Sequence, residues 1–205
     1  MTTPSRLISG LTAAAAVLGM LAPAIAQDQP APAEGTAVKS DRGLTDDRPY
    51  TVFYPAVFST FDDGSETTVI TLRHPDAPVQ CDVLIVDGAP DPWNAEAAEQ
   101  SLDRSVIEAS WLTDFPGFQL VSQGVIQFQS GAALIYEGES QGSPLGVPLH
   151  IVHAEAADGG RTYAVECLAE KSIATEARPM IDFVLANFST RSDGECCKDP
   201  AAARP

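Results

Sequence analysis

The tetrapeptide Ala157-Asp158-Gly159-Gly160 lies between two runs of strand-forming residues, 149–154 and 161–168, and it leaves the backbone little choice. Asp-Gly and Gly-Gly readily adopt the positive-φ conformations that two-residue hairpin turns need, so the two runs are expected to pair antiparallel. Earlier in the chain, Tyr50-Thr51-Val52-Phe53-Tyr54 is β-branched and aromatic and runs into Pro55, which suits an extended segment near a sheet edge. Residues 67–72 and 79–86 read as two more strands, separated by the turn-like His74-Pro75-Asp76-Ala77-Pro78. The second is apolar on both faces from Val83 onward, which predicts a place inside the sheet. Asp91-Pro92 reads as a helix N-cap with a first-turn proline. Ala95, Ala98, Leu102, Val106 and Ala109 then recur at helical spacing, predicting one amphipathic helix that ends near Trp111. Short strands are expected at 118–121, 125–128 and 132–137. A closing helix is expected to start at 175–178, with Pro179 in its first turn and Met180, Ile181, Val184, Leu185 and Phe188 on its apolar side. The expected fold class is therefore α+β: a largely antiparallel sheet of about six to seven strands flanked by two helices.

Gly159-Gly160-Arg161-Thr162-Tyr163-Ala164-Val165-Glu166-Cys167 on the hairpin arm is followed by Ala177-Arg178-Pro179 and by Ile181-Asp182-Phe183-Val184-Leu185-Ala186-Asn187-Phe188-Ser189. This succession resembles the closing strand and C-terminal helix of the Mog1/PsbP-like α/β/α sandwiches, and residues 50–58 are similar to their opening aromatic-and-proline strand. The resemblance implies that fold across residues 50–189. It also implies a binding or assembly role without an active site.

The ends of the chain read differently. Arg6, an apolar run over 11–21 and the small-x-small triplet Ala24-Ile25-Ala26 have the form of a signal peptide, residues 1–26, cleaved after Ala26. No cysteine follows the run to take a lipid, so a periplasmic protein with no membrane span after cleavage is expected. Residues 27–49, with Pro30, Pro32, Gly35 and Gly43 among polar residues, read as a flexible linker; residues 50–189 as a single domain; residues 190–205 as a disordered tail carrying Cys196 and Cys197. With 28 acidic against 12 basic residues and a net charge of −16, the chain repels phosphate backbones, which argues against a nucleic-acid partner.

Four cysteines in an exported chain suggest disulfides. Cys81 and Cys167 both sit on β segments that could be neighbours in the core and are expected to form a disulfide, with two buried thiols as the alternative. Cys196 and Cys197 are adjacent in a polar context, expected in vicinal pairing, mixed disulfides or an inert tail, with a soft metal as the alternative. No nucleophile elbow, Walker loop, zincin helix, Cys-x-x-Cys pair or EF-hand loop occurs, so neither a catalytic site, a cofactor nor a defined metal site is expected. His150 and His153 fall on opposite faces of one strand and cannot share a metal. Ser130, His153 and Asp158 are an inventory without a reason to converge. Two acidic loops, Asp62-Asp63 and Asp87 to Asp91, are candidates for a cation or a small ligand, with turn and helix-cap roles as the plainer reading. Trp93 and Trp111 bracket the first helix as candidate partner contacts or packing residues. Taken together, the expectation is a non-catalytic binding or assembly protein of the bacterial cell envelope with an unknown envelope protein as partner. The alternative is a ligand- or cation-binding protein, or an enzyme, with a pocket near Asp87 and Trp93.

Overall fold

The computed structural model describes residues 37–45, 48–62, 64–89, 92–143 and 146–198. The expected signal peptide, the first part of the expected linker, and Asp63 and Asp91 lie outside these. Among the described residues ten strands and three α-helices follow one another as β1 (Val38–Gly43), β2 (Tyr50–Pro55), β3 (Ser59–Phe61), β4 (Thr68–Arg73), β5 (Val79–Asp87), α1 (Ala95–Ser101), α2 (Arg104–Trp111), β6 (Gln119–Phe128), β7 (Gly131–Ser140), β8 (Leu149–Asp158), β9 (Arg161–Glu170), α3 (Ala174–Ala186) and β10 (Phe188–Ser189). Seven strands form one sheet in the order β3-β4-β5-β9-β8-β7-β6, every neighbour antiparallel, and β1-β2-β10 form a second, smaller sheet.

The hairpin works as its residues require. Asp158 faces Arg161 across the turn, and Gly159 and Gly160 stand at φ of 57° and 77°, the paired positive values of a type I′ turn. From that register, strands β8 and β9 run ten residues each without a shift. Strand β5 lies against β9, in the interior of the sheet, with Cys81 directly opposite Cys167. Their Cα atoms are 4.0 Å apart, both residues are fully buried, and a disulfide joins them across 86 residues of chain.

Two layers cover the sheet. On its inner face, Val83, Ile85, Val152, Ala154, Tyr163 and Val165 pack with Val52 and Tyr54 of β2 and with Ile181, Val184 and Leu185 of α3. On the outer face, Phe115, Phe118, Leu120, Tyr136 and Ile151 form a smaller core with Leu102, Ile107 and Trp111. Helices α1 and α2 pack on β6 and β7, so this second layer covers that end of the outer face. Farther across, β5 alternates strictly: Val79, Cys81, Val83 and Ile85 are buried inward, whereas Gln80, Asp82, Leu84 and Val86 are half-buried or exposed.

Several boundaries differ from the sequence reading. Residues 38–43, expected within the linker, form β1, because β2 offers them a free edge and Asp41 accepts a hydrogen bond from the Tyr50 hydroxyl at 2.5 Å. Strand β3 was not anticipated; it adds a three-residue edge to β4. The expected strands 118–121 and 125–128 are one strand, β6, carried past Ser122 by a bulge after Leu120. The single helix expected up to Trp111 is two, because Asp103 turns its carboxylate onto the backbone N–H of Ser105 at 2.8 Å and starts a new helix there. The cap of α1 is Asn94, bonded to the Ala97 N–H at 2.7 Å. Helix α3 begins at Ala174, after a 3₁₀ turn at Lys171–Ile173, which places Pro179 inside the helix and not in its first turn. Finally, residues 190–198, expected as disordered tail, lie against the domain: Thr51 donates its hydroxyl to the Arg191 carbonyl at 2.7 Å, and Arg42 binds the carbonyls of Ser192 and Gly194.

Candidate functional site

On the outer face, six side chains fall in register along one line across the sheet. Thr71 of β4 faces Asp82 of β5, Asp82 faces Glu166 of β9, Glu166 faces His153 of β8, His153 faces Tyr136 of β7, and Tyr136 faces Gln123 of β6. Strand alternation puts them all on one side, and antiparallel pairing puts them side by side. The line begins on the open half of the face and ends beneath the helices, where Gln123 donates to the Glu99 carbonyl of α1 at 3.2 Å.

His153 stands where the open half meets the covered half. Its ring stacks on Tyr136 with centroids 4.7 Å apart and meets Trp111 edge-on at 5.6 Å. The indole N–H of Trp111 in turn donates to the Tyr136 hydroxyl at 3.0 Å. Nε2 of His153 lies 3.3 Å from Glu155 and Nδ1 lies 3.5 Å from Glu166. Burial opposes the charged imidazolium, but the hydrogen bond to Glu155, the close contact with Glu166 and the negative charges of both outweigh it and hold the pKa at about 9. An imidazole that stays protonated at neutral pH is a poor general base there. What this geometry provides is a fixed positive charge inside an acidic strip. Next to it, burial raises the Asp82 carboxyl above its usual range despite hydrogen bonds from Thr71 and Gln80, and Glu166 raises it further.

A second feature lies at the hairpin end of the sheet. A cleft of about 280 Å³ is walled by Trp93, Ser130, Asp158, Thr190 and Arg191, and a neighbouring one of about 410 Å³ shares Asp158, Thr190 and Arg191. The Thr190 hydroxyl donates to Asp158 at 2.7 Å, and the Thr190 N–H donates to the Ser130 hydroxyl at 3.0 Å. The indole N–H of Trp93 is buried without a hydrogen-bond partner among the described residues.

The sequence candidates are distributed over the molecule. Trp111 is engaged in the outer core, stacked on Phe118 with centroids 5.4 Å apart, whereas Trp93 lines the cleft. Asp62 is exposed and accepts from the Gly64 N–H at 2.9 Å, a turn contact. Asp87 is an exposed partner of Arg161 at 3.3 Å. Among the described residues no three His, Cys, Asp or Glu side chains converge to hold a metal ion. Ser130 and Asp158 share the cleft through Thr190, while His153 is held by Tyr136, Glu155 and Glu166, so the three form no triad. His150, on the inner face, bonds to Glu137 at 3.2 Å. The sequence reading missed the His153 line, although the hairpin turn carries the signal: counting back from Asp158 and forward from Arg161 pairs His153 with Glu166.

Neither a family model nor a curated protein sequence matches the chain. Solved structures do. The cyanobacterial PsbP protein of Synechocystis superposes with a TM-score of 0.53 at 14% identity, over 78% of this chain and 96% of its own. A point mutant of the protein Mog1 superposes with a TM-score of 0.51 at 11% identity, over 77% and 97%. The fold is Mog1/PsbP-like. The Ran-binding protein Mog1p of Saccharomyces cerevisiae superposes more loosely, with a TM-score of 0.46 at 12% identity. At these identities the Mog1/PsbP likeness describes the arrangement of sheet and helices, and the acidic strip and the cleft stand on this chain's own residues.

Proposed function

We propose that this chain is an exported, non-catalytic binding or assembly protein of the bacterial cell envelope, and that it receives a protein partner on the open half of its outer sheet face. The observation that carries the reading is the incomplete second layer. Helices α1 and α2 cover the β6–β7 end, while Leu84 and Val86 remain half-buried or exposed on the face that carries Asp82, Glu155 and Glu166. Apolar side chains rimmed by charge on a flat sheet face suit protein contact. Export is supported by the apolar N-terminal segment with Ala24-Ile25-Ala26 and by the buried Cys81–Cys167 bond, which persists in oxidising compartments such as the periplasm. A second reading rests on the cleft beside Trp93, whose buried indole N–H would suit a small ligand with an acceptor group.

Affinity capture and crosslinking of the tagged protein in envelope extracts, beside a metal and metabolite screen, tests both. The binding reading expects a protein retained by the parent and lost from Val86→Glu, with Asp62→Asn as the unaffected control. Stoichiometric co-purification of a metabolite with no retained protein would overturn it in favour of the cleft.

A further inference from the structure

Residues 191–198 have little to bury: Gly194 is enclosed, whereas Glu195, Cys196, Cys197 and Lys198 all face solvent. Ordering such a stretch costs about 1–2 kcal/mol per residue in backbone entropy, with no apolar burial to offset it. Thr51 and Arg42 hold its first half, and two amide side chains hold the second. Gln129, in the turn between β6 and β7, accepts from the Glu195 N–H at 3.0 Å and donates to the Glu195 carbonyl at 2.7 Å. Asn187, at the end of α3, accepts from the Lys198 N–H at 2.6 Å and donates to the Lys198 carbonyl at 3.2 Å. Glu195 and Lys198 are the residues immediately before and after the dicysteine. Cys196-Cys197 is therefore a solvent-facing arch between two clamped points, and the clamps adjoin each other, Gln129 Nε2 lying 3.5 Å from Asn187 Oδ1.

The two sulfurs lie against each other, in position to pair. A bond between sequence neighbours closes only a small ring through their shared peptide bond, so it removes little entropy from the unfolded chain and contributes little to stability, unlike Cys81–Cys167. Exposure puts it within reach of an attacking thiolate, and exposed disulfides are the labile class. Lys198 alongside supplies positive charge that favours a departing thiolate.

We propose that Cys196–Cys197 is a thiol–disulfide exchange site that accepts two electrons from an exposed dithiol on another molecule. A donor thiolate attacks one Sγ, the Cys196–Cys197 bond breaks, and the other Sγ leaves as a thiolate and takes up a proton. The second donor thiol loses its proton and attacks the donor sulfur of the mixed disulfide, which releases the remaining cysteine thiolate to be protonated in turn. The donor ends as a disulfide and Cys196 and Cys197 as two thiols, two electrons and two protons having been transferred. Gln129 and Asn187 are positioning residues that hold the oxidised arch.

The test uses the full-length protein with dithiothreitol as the dithiol, alkylation as the quench, and mass spectrometry to read each cysteine. Cys196 and Cys197 are expected to become alkylated at least about 100-fold faster than Cys81 and Cys167, with one dithiothreitol oxidised per chain, and to re-form their bond with oxidised glutathione. Gln129→Ala is expected to shift the equilibrium of the pair against glutathione while Cys81–Cys167 stays protected and Tm stays close to the parent; Asn187 is left in place because it also bonds the Phe183 carbonyl. Equal reactivity of all four cysteines in the folded chain, tail thiols that remain free under oxidised glutathione, or a Gln129→Ala equilibrium identical to the parent's would overturn the proposal.

Discussion

His153 shows how one residue couples the fold to pH. Its folded pKa of about 9 lies above the unfolded value of 6.5. The stabilisation is therefore fully present below pH 6.5 and is lost as the pH rises through about 9. At about 1.4 kcal/mol per pKa unit the contribution is up to about 3 kcal/mol. Urea unfolding at pH 6 and pH 10 is expected to show this loss in the parent and little of it in His153→Gln, and NMR of the imidazole is expected to place its titration near 9. A second single-residue test concerns space. A Cβ at Gly138 would run into the Phe118 ring and the Gln119 carbonyl, so Gly138→Ala is expected to cost about 1–3 kcal/mol, read as a lowered Tm. That requirement was invisible in the sequence, because it depends on where Phe118, twenty residues earlier in the chain, lays its ring.

Among elements, α3 is joined to the sheet by charge as well as by its apolar stripe. Arg178 bonds Asp182 one turn on in its own helix and reaches Glu137 of β7 at 2.7 Å, and His150 of β8 meets the same Glu137. Burial would push the Glu137 carboxyl up, but the hydrogen bond from His150 and the charge and hydrogen bond of Arg178 hold it below its usual value. Its contribution is present at neutral pH and is lost as the pH falls through that lowered value. Arg178→Met is expected to cost about 2–4 kcal/mol in urea unfolding, less than for a fully buried network because the side chain is 24% exposed. The helix itself was readable from Ile181, Val184 and Leu185, and the hairpin from Gly159 and Gly160, since both patterns are local. Strand β1 was not readable: its pairing depends on a free edge of β2, and its exposed residues carry no alternation to mark it. The break between α1 and α2 was present in the sequence as Asp103, but the apolar spacing across it continues undisturbed and hides it.

At the scale of the molecule, residues 38–43 and 190–198 are held on the domain although they look like linker and tail, and composition alone does not show that polar segments are held by side-chain amides and guanidinium groups. The cysteine pairing was legible as a possibility because both residues lay on strands; the register that places them opposite each other depends on tertiary contacts. Replacing Cys81 and Cys167 by Ala together is expected to lower stability by about 4–5 kcal/mol in urea unfolding on chain-entropy grounds.

The bond between β5 and β9 also bears on how the chain reaches this state in time. β6, β7, β8 and β9 are consecutive antiparallel neighbours and can zip from short turns, whereas β5 must return to β9 across two helices and three strands. Contacts between distant parts of a chain form late, because the intervening loop loses its freedom before any contact rewards it. In the oxidised denatured chain that search is already over. Stopped-flow refolding is therefore expected to be faster for the oxidised protein than for the Cys81→Ala, Cys167→Ala variant, with the β6–β9 meander protected first in pulsed hydrogen exchange and the N-terminal strands joining it afterwards.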